Sequence, residues 1–422
     1  MLKNMWSVKK EDVDKQSVFW NMMSSGLNSV VSMLLLWVVT RANGVYDAGV
    51  FSLGFSTSQM MLTIGNYGMR NYQATDLKDK YAMKTYLASR IVTNIVMLAI
   101  VAGFVKVEGY YFEKAVITGL LCMLKATDAF DDVYGGHYQK NGRLDISGKI
   151  MTFRILSYIV AFCVCLLLTH SLVLSSLAAI IVSAGILIIL VVSTKKMMVL
   201  EKPSFHWNAI KNLLAECFPL CISAFLLIYL GNAPKYAIDS YLSPDAQAYY
   251  TYLFMPCFVT NLFVGFALQP LLVRLSKSWL HKEYRKFLKL CTCIFAGAVA
   301  ISAVIVSAGG FIGCEVLSFV FGVQLTEYKD VLIVLLVGGA FFAFAVIEQI
   351  ILTVMRRQFY LLIGFAVASF TAFFVADPLV RKWGLQGAGY SYTISAGVLF
   401  LVLAVMIAGF FGAKKKEDSL EP

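Results

Sequence analysis

The chain alternates between long apolar segments and short polar or charged stretches. A helix needs roughly 20 apolar residues to cross a hydrocarbon core about 30 Å thick, and the segments are long enough. Because the apolar runs are continuous and do not alternate in polarity, they favour helices and exclude a transmembrane β-barrel. The pattern predicts twelve membrane-spanning helices, at residues 17–40, 48–70, 84–105, 113–136, 149–169, 172–193, 209–231, 245–273, 286–311, 328–354, 358–379 and 386–411.

The composition excludes a soluble protein. Of the 422 residues, 59% are hydrophobic and 14% are charged, whereas soluble domains carry about 25% charged residues. The nine cysteines lie in or beside apolar segments and are interpreted as small hydrophobic residues. Neither a metal site nor any other cofactor is predicted, and the polar first sixteen residues argue against a cleavable signal peptide.

The net charge of +11 is explained by where the basic residues lie. With the N-terminus placed inside, 26 of the 36 lysines and arginines fall in cytoplasmic segments and seven fall in outer segments. This asymmetry predicts that both termini are cytoplasmic, and it accounts for the basic balance without a nucleic-acid partner. The three remaining cations, Arg90, Lys125 and Arg154, lie inside predicted helices and need a separate explanation.

A polar stretch from Thr194 to Asn208 separates six predicted helices from six, which suggests a duplicated half. The residues Asp47-Ala48 after the first helix recur as Asp245-Ala246 after the seventh. Because six is even, both halves would enter the membrane from the same side. We therefore expect two domains, 1–200 and 201–422, as six-helix bundles related by a pseudo-two-fold axis along the membrane normal and enclosing a central cavity.

The second predicted helix has a continuous polar face. Its polar residues recur at steps of three or four, the spacing of one face of a helix. Packing between helices through small polar residues is one interpretation, and a water-filled lumen is the better fit. The face consists of Ser52, Ser56, Gln59, Thr63, Asn66 and Arg70.

The fourth predicted helix carries four charges inside an apolar run, at Lys125, Asp128, Asp131 and Asp132. Lys125, Asp128 and Asp132 fall within about 60° of one another on a helical wheel. A charge at mid-membrane costs roughly 2.5 to 3.5 kcal/mol on insertion scales, so these side chains must face the bundle interior. They either bind a substrate or form a Lys125–Asp128 salt bridge that only holds helices together. Arg90 and Arg154 either join them or extend to the inner interface.

Three residues stand out in the second half. Lys235 either reaches the cavity or extends to the outer interface. Glu348, like Asp128 in the first half, is a candidate for ion coupling, although structural hydrogen bonding is an equal alternative for Glu348. Pro256 removes a backbone hydrogen bond from its helix, so it is either a hinge or a fixed kink.

Cations and polar side chains directed into the cavity could offset the desolvation of an anionic substrate, and arginine could do so bidentately. The candidate substrate-binding residues are Arg41, Arg70, Arg90, Lys125, Asp128, Arg154, Lys235, Gln59 and Asn66.

Loose motifs are spread over almost the whole chain: Arg41-x-x-Gly44-x-x-x-x-Gly49-x-Phe51, Lys235-x-x-x-Asp239, Phe321-Gly322 and Trp383-Gly384-Leu385-Gln386-Gly387-Ala388-Gly389. With these motifs the sequence resembles bacterial polysaccharide or O-antigen type flippases of the multidrug/oligosaccharidyl-lipid/polysaccharide (MOP) superfamily. One departure is Gln247, which stands in the second repeat where the first has Gly49.

The resemblance implies a transporter of the bacterial inner membrane, with no enzymatic activity. It would export an undecaprenyl-diphosphate-linked oligosaccharide to the outer leaflet by alternating access, for cell-surface polysaccharide synthesis. The implied partners are the lipid-linked oligosaccharide, membrane lipids and other polysaccharide-assembly proteins.

Three other functions compete with this interpretation. A multidrug or cation antiporter of the same superfamily would need anionic residues for cationic drugs, and the first two predicted helices contain none. A membrane-embedded polysaccharide-assembly enzyme would be expected to have a large external domain or catalytic histidines facing the membrane, and the outer loops are short. A scaffold for an assembly complex would retain full activity after loss of the buried cations.

Overall fold

The computed structural model describes residues 6–76, 79–196, 201–357 and 359–420. Within these residues the chain is helical and contains no β-strand. The first six long helices are α1 (Val13–Asn43), α2 (Val45–Asn66), α3 (Met83–Val107), α4 (Phe112–Lys140), α5 (Leu144–Thr169) and α6 (Leu172–Ser193).

The second set of long helices begins after the polar stretch. It contains α7 (Trp207–Tyr241), α8 (Pro244–Leu280), α9 (Tyr284–Ala308), α10 (Lys329–Val354) and the helical segment Phe359–Leu420. Gly384 interrupts that segment with a φ of 57°, which glycine adopts readily because it has no Cβ, and so divides it into α11 (359–383) and α12 (385–420). The twelve predicted helices and the all-α fold are confirmed.

Some short helical elements were not predicted from the apolar pattern. Helix α2 ends at Asn66 because Tyr67 and Gly68 adopt left-handed backbone conformations, and a separate short helix, Met69–Thr75, follows. The expected span of 48–70 therefore begins and ends later than the helix, and Arg70 lies on the short helix. After α9, a π-helical turn at Gly309–Gly313 leads into Cys314–Phe321.

Eight helical segments of the described chain are long and apolar enough to cross a membrane. One of them, Phe359–Gly412, covers α11 and most of α12. Helix α4 is absent from this set although it has 29 residues, since charged residues interrupt its apolar sequence. The chain is a multi-pass membrane protein.

The chain forms two compact units, Met1–Phe225 and Leu226–Pro422. In the first unit, α1 packs on α5, α5 on α6, and α2 on α4. Helices α1 and α5 approach closely at Gly148, where an added Cβ would lie 2.6 Å from the backbone carbon of Trp20. In the second unit, α10 packs against α8 and against the segment that contains α11 and α12.

The first part of α7 belongs to the first unit. Leu213 and Cys217 pack in a hydrophobic cluster with residues of the short helix, α3 and α4. One turn further along α7, the Cys221 thiol donates to the backbone carbonyl of Thr63 over 3.6 Å. These contacts hold the first part of α7 against the end of α2 and explain why the unit boundary falls inside α7.

Candidate functional site

The charged residues of α4 form the centre of a buried ionic cluster. Asp128 accepts from the Lys125 ammonium over 2.8 Å, one helical turn away, and from Arg154 Nη1 of α5 over 2.5 Å. The Lys125–Asp128 pair that the helical spacing suggested is therefore present. The carboxylate of Asp128 on α4 therefore binds a cation of its own helix and a cation of α5.

Arg154 of α5 is enclosed by polar partners on α4 and α6. Its Nε and Nη2 atoms each lie 3.0 Å from Asp131 Oδ2, and Nη1 lies 3.1 Å from the Ser183 hydroxyl. The side chain is 1% exposed. It does not extend to the interface. Charge-assisted bonds to two carboxylates fix the orientation of this guanidinium.

Arg90 connects α3 with α2 and α4. Its Nη2 atom donates to Asp132 Oδ2 over 2.9 Å, while Nη1 donates to the backbone carbonyl of Gly65 and approaches Asn66 Oδ1 to 3.4 Å. Gly65 lies in the last turn of α2, where helix carbonyls lack intrahelical partners. Arg90 therefore caps α2 and neutralises Asp132, and its side chain is 0% exposed.

Arg70 lies at the accessible edge of the cluster. Its Nη1 atom lies 3.6 Å from Asp132 Oδ1, and the guanidinium also contacts Gln139 and Ser147 at 3.4 Å and 3.5 Å. The side chain is 27% exposed, against 17% for Asp132. Arg70 is thus the cluster cation that an incoming anion can reach most readily.

The positive charges in the cluster outnumber the negative charges. Four cations (Arg70, Arg90, Lys125 and Arg154) face three carboxylates (Asp128, Asp131 and Asp132). We call this set the cation cluster. Removing ions from water costs several kcal/mol each unless they are paired, so the excess positive charge favours the entry of an anion. The Phe55 ring lies 4.8 Å from the Lys125 ammonium and stabilises its charge without neutralising it.

Several buried polar atoms near these helices have no hydrogen-bond partner among the described residues. They include Nε of Arg90, both amide atoms of Asn94, Oε1 of Gln59 and the hydroxyl of Tyr158. Asn94 Oδ1 lies close to Gly65, where an added Cβ would stand 3.1 Å from it. Buried polar groups are normally satisfied, so these atoms are available to water or to a polar ligand.

The structure brings together most of the first-half residues predicted to bind substrate. Arg70 and Arg90 share Asp132, and Lys125 and Arg154 share Asp128, so the ion pairs form two neighbouring sets on α4. Asn66 touches the first set through Arg90. Gln59 lies on α2, one turn beyond the Phe55 ring that contacts Lys125.

Arg41 is not part of either set. It lies in the last turn of α1, next to the start of α2. Helix α2 is about 33 Å long at 1.5 Å per residue, so Arg41 and Arg70 lie at opposite ends of it.

Several groups that complete the ion pairs were not among the predicted site residues, although Asp131 is one of the charges that interrupt the apolar sequence of α4. Asp131 binds Arg154, and the hydroxyls of Thr127 and Ser183 bind each other over 2.7 Å and contact the same guanidinium. Ser183 interrupts the apolar sequence of α6, which is a detectable signal. No sequence pattern connects it to a residue 29 positions away.

Three candidates lie in the second unit. The Lys235 ammonium is buried and lies 5.5 Å from the centre of the Phe254 ring, and Tyr392 meets that ring edge-on at 4.8 Å. Glu348 is 2% exposed, and its Oε2 has no hydrogen-bond partner among the described residues. Helix α8 runs through Pro256 without interruption, and Cys257 donates to the backbone carbonyl of Leu335 on α10 over 3.1 Å.

No protein-family model matches the chain. In sequence it is similar to the capsular polysaccharide biosynthesis protein CapF of Staphylococcus aureus, with 23% identity over 386 residues, covering 89% of this chain and 94% of that protein.

Two solved structures share the fold over most of their length. An inward-facing multidrug resistance transporter of the MATE family of the MOP superfamily gives a TM-score of 0.70 at 13% identity, covering 92% of this chain and 96% of the other. The lipid II flippase MurJ, in an inward closed conformation, gives a TM-score of 0.69 at 12% identity, covering 92% and 89%. The resemblance inferred from the sequence motifs is confirmed: the protein is a multi-pass membrane protein with the fold of the transporters and flippases of the MOP superfamily.

Proposed function

We propose that this protein is a flippase that exports an undecaprenyl-diphosphate-linked oligosaccharide from the inner to the outer leaflet for cell-surface polysaccharide synthesis. The shared fold with a lipid II flippase and the similarity to a capsular polysaccharide biosynthesis protein support this proposal. The protein would act in the bacterial inner membrane with both termini in the cytoplasm. Its partners would be the lipid-linked substrate, membrane lipids and other polysaccharide-assembly proteins.

The observation that carries the proposal is the excess positive charge of the cation cluster. Four cations and three carboxylates lie on adjacent helices of one unit. A diphosphate group is a compact anion, and guanidinium and ammonium groups bind phosphate oxygens through charge-assisted hydrogen bonds. A diphosphate would neutralise the charge that the carboxylates leave uncompensated.

The members of the cluster would play different roles. Arg70, the most exposed cation, would make the first contact with the diphosphate. Lys125 would follow, because Asp128 keeps Arg154 as a partner when Lys125 turns to a phosphate. Arg90 and Arg154 are held by several groups each and would position the helices. Asn66 and Gln59 would supply hydrogen bonds to the sugar or to the phosphate oxygens.

The second unit would complete a cycle of alternating access. Lys235 would offer a further cation, and Glu348 and Asp128 are the candidates for ion coupling. Moving negative charge out of a negative cytoplasm is favoured by about 2.3 kcal/mol per charge per 100 mV, so the membrane potential can contribute to the drive. Pro256 would act as a hinge in α8.

The net positive charge of the cation cluster argues against a cation exporter. The MATE-family multidrug resistance transporter shares the fold, but the shared fold does not assign its substrates to this chain. A cationic drug would be repelled by a buried site with more cations than carboxylates, whereas an anionic lipid would be attracted.

The direct test is transport of undecaprenyl-diphosphate-linked oligosaccharide across the membrane of proteoliposomes that contain the purified protein. We expect wild-type protein to move the labelled lipid and Arg70→Gln to move it at least tenfold more slowly. Arg285→Gln is the matched control, since Arg285 is an exposed arginine at the start of α9. Transport of a neutral polyprenol-linked sugar at the same rate, or equal rates for Arg70→Gln and wild type, would contradict the proposal.

A further inference from the structure

Two adjacent glycines, Gly135 and Gly136, lie in the interior of α4. Glycine is unfavourable inside a helix relative to alanine, because it loses more backbone freedom on folding. An added Cβ on Gly119 of the same helix would meet nothing packed against it within 4 Å, whereas Gly135 and Gly136 are buried against other side chains. We call these two residues the glycine pair. What packs against the pair should explain its presence.

The side chain of Arg70 lies on the glycine pair. An added Cβ at Gly136 would stand 3.5 Å from Arg70 Cγ, and one at Gly135 would stand 3.3 Å from Cζ and Nη1. The side chain of Arg70 therefore runs along the backbone of α4 from Gly136 to Gly135. At its end, Nη1 lies 3.6 Å from Oδ1 of Asp132, one helical turn before the pair. A branched side chain at position 135 would compete with the guanidinium for the same space.

The short helix that carries Arg70 also rests on the glycine pair through Gln73. An added Cβ at Gly136 would collide with Oε1 of Gln73 and would lie 3.0 Å from its Cδ. Gln73 is 2% exposed, and its Nε2 donates to the sulfur of Met83 over 3.2 Å. Because this amide is buried and held by Met83, it cannot turn out into solvent. A Cβ at position 136 would therefore push the short helix, Met69–Thr75, away from α4.

The position of the short helix depends on this contact with α4. The left-handed backbone at Tyr67 and Gly68 separates the short helix from α2, so it does not continue that helix. The hydrogen bonds from the Arg70 guanidinium are long, with Nε 3.4 Å from Gln139 Oε1 and Nη2 3.5 Å from Ser147 Oγ. Hydrogen bonds of these lengths are weak. The fit against the glycine pair thus helps to hold the guanidinium in the cation cluster.

We propose that the glycine pair positions Arg70 for the head group of an anionic substrate. The absence of side chains at these two positions lets the short helix approach α4 and lets the guanidinium lie at the accessible edge of the cation cluster. Gly135 and Gly136 act through Arg70 and do not themselves touch the substrate. This inference rests on the proposed function, in which Arg70 makes the first contact with the diphosphate.

Chemical modification of Arg70 tests the position of its side chain independently of transport. Phenylglyoxal reacts with accessible guanidinium groups, and peptide mass spectrometry of the purified full-length protein follows each arginine separately. The Arg70 side chain is 27% exposed. Because an ion pair this exposed holds a side chain weakly, its loss in Gly135→Val should raise the rate of Arg70 modification about threefold. Arg90, which is 0% exposed, should stay unmodified and so shows that the variant is folded.

Gly119→Val is the matched control, since an added Cβ there meets nothing packed against it, and the rate should stay at the wild-type value. Gly136→Ala is a milder variant that should also raise the rate of Arg70 modification. Gly136→Ala/Gln73→Ala should restore the wild-type rate, because it removes the atoms that the new Cβ would meet. Equal rates in wild type, Gly135→Val and Gly136→Ala would overturn the inference.

Transport in proteoliposomes connects the position of Arg70 with function. Gly135→Val should raise the KM for the lipid-linked oligosaccharide with little change in kcat, and it should have no further effect in an Arg70→Gln background. A further loss in that background would overturn the inference, because the glycine would then act by another route. Faster modification of Arg70 in Gly135→Val, with unchanged transport in both Gly135→Val and Arg70→Gln, would contradict the proposed function and leave the positioning role standing.

Discussion

The guanidinium of Arg90 binds the last turn of α2 at the carbonyl of Gly65 and, at the same time, the Asp132 carboxylate of α4 at 2.9 Å. One side chain of α3 thus connects three helices. The Thr93 hydroxyl donates to the same carbonyl over 2.8 Å, so the end of α2 is held by two residues of α3.

This arrangement predicts that Arg90→Met is strongly destabilising. Among the described residues, it would leave Asp132 with the 3.6 Å contact to Arg70 as its one remaining ion pair, and it would remove a donor from the Gly65 carbonyl. Removing one partner of a buried ion pair costs about 3 to 5 kcal/mol. Thermal unfolding in detergent should show a lower midpoint, and the double variant Arg90→Met/Asp132→Asn should recover part of the loss. A double variant no more stable than Arg90→Met would contradict this role for Asp132.

Substitution of Lys125 should reduce transport with little effect on the stability of the protein. In Lys125→Met, Asp128 keeps its 2.5 Å contact with Arg154, so no carboxylate is left unpaired. We therefore expect a small change in the unfolding midpoint, together with a loss of lipid-linked oligosaccharide transport of at least tenfold. Lys125→Arg should retain most of the transport.

The matched control for that experiment is Lys211→Met, at an exposed lysine of α7. If Lys125→Met transports as well as wild type, Lys125 is not used for substrate binding. The Lys125–Asp128 pair would then serve only to hold α4.

Glu348 provides a test of ion coupling. Its buried carboxyl group has one oxygen without a partner among the described residues, and glutamine has nearly the same shape. Glu348→Gln should therefore fold normally and should lose the dependence of transport on an imposed proton gradient. Transport should be measured in proteoliposomes with and without the gradient. An unchanged dependence would assign Glu348 to a structural role.

Asp76, in the loop before α3, should make the protein less stable at acid pH than at pH 7. Burial acts to raise the pKa of Asp76, but the backbone N–H groups of Lys80 and Tyr81 and the nearby Lys140 outweigh it and lower the pKa. A lowered pKa in the folded state stabilises the protein above the ordinary carboxyl pKa. This stabilisation is lost as the pH falls through the folded-state value.

Asp76→Asn should therefore lower the unfolding midpoint at pH 7 and narrow the difference between midpoints at pH 7 and at acid pH. Asp79→Asn is the comparison, since Asp79 is 83% exposed and pairs only with Lys140 in the described part of the chain. Equal pH dependence in wild type and Asp76→Asn would show that Asp76 does not stabilise the loop.

Alternating access predicts motion between the outer turns at Asp47 and Asp245. Spin labels at these positions should report at least two distance populations, shifted by the lipid-linked substrate. Pro256→Ala should alter the populations if Pro256 is the hinge. A single distance that substrate does not change would exclude this motion, and two populations unaffected by Pro256→Ala would exclude the hinge.

The helices were predictable because each depends on a continuous local pattern, and the Lys125–Asp128 pair was predictable because both residues lie on one turn of α4. The partners of Arg90 and Arg154 were not. They come from other helices, and one of them is the backbone carbonyl of Gly65, which no side-chain pattern marks. The early end of α2 depends on the backbone conformation of Tyr67, a residue type that rarely adopts a positive φ.

The packing of the first part of α7 has a consequence for how the sequence can change over evolutionary time. By order along the chain, α7 opens the second set of six helices, yet Leu220 packs against Gly68, where an added Cβ would lie 2.6 Å from the leucine. Because the nearest atom is the Cβ of Leu220, a larger residue at position 68 would require glycine at position 220. Pairs of compensating substitutions should therefore link the first part of α7 with the end of α2. A recombinant protein that exchanges its second half at the polar stretch would combine α7 of one protein with the first half of another, to which that helix is not fitted.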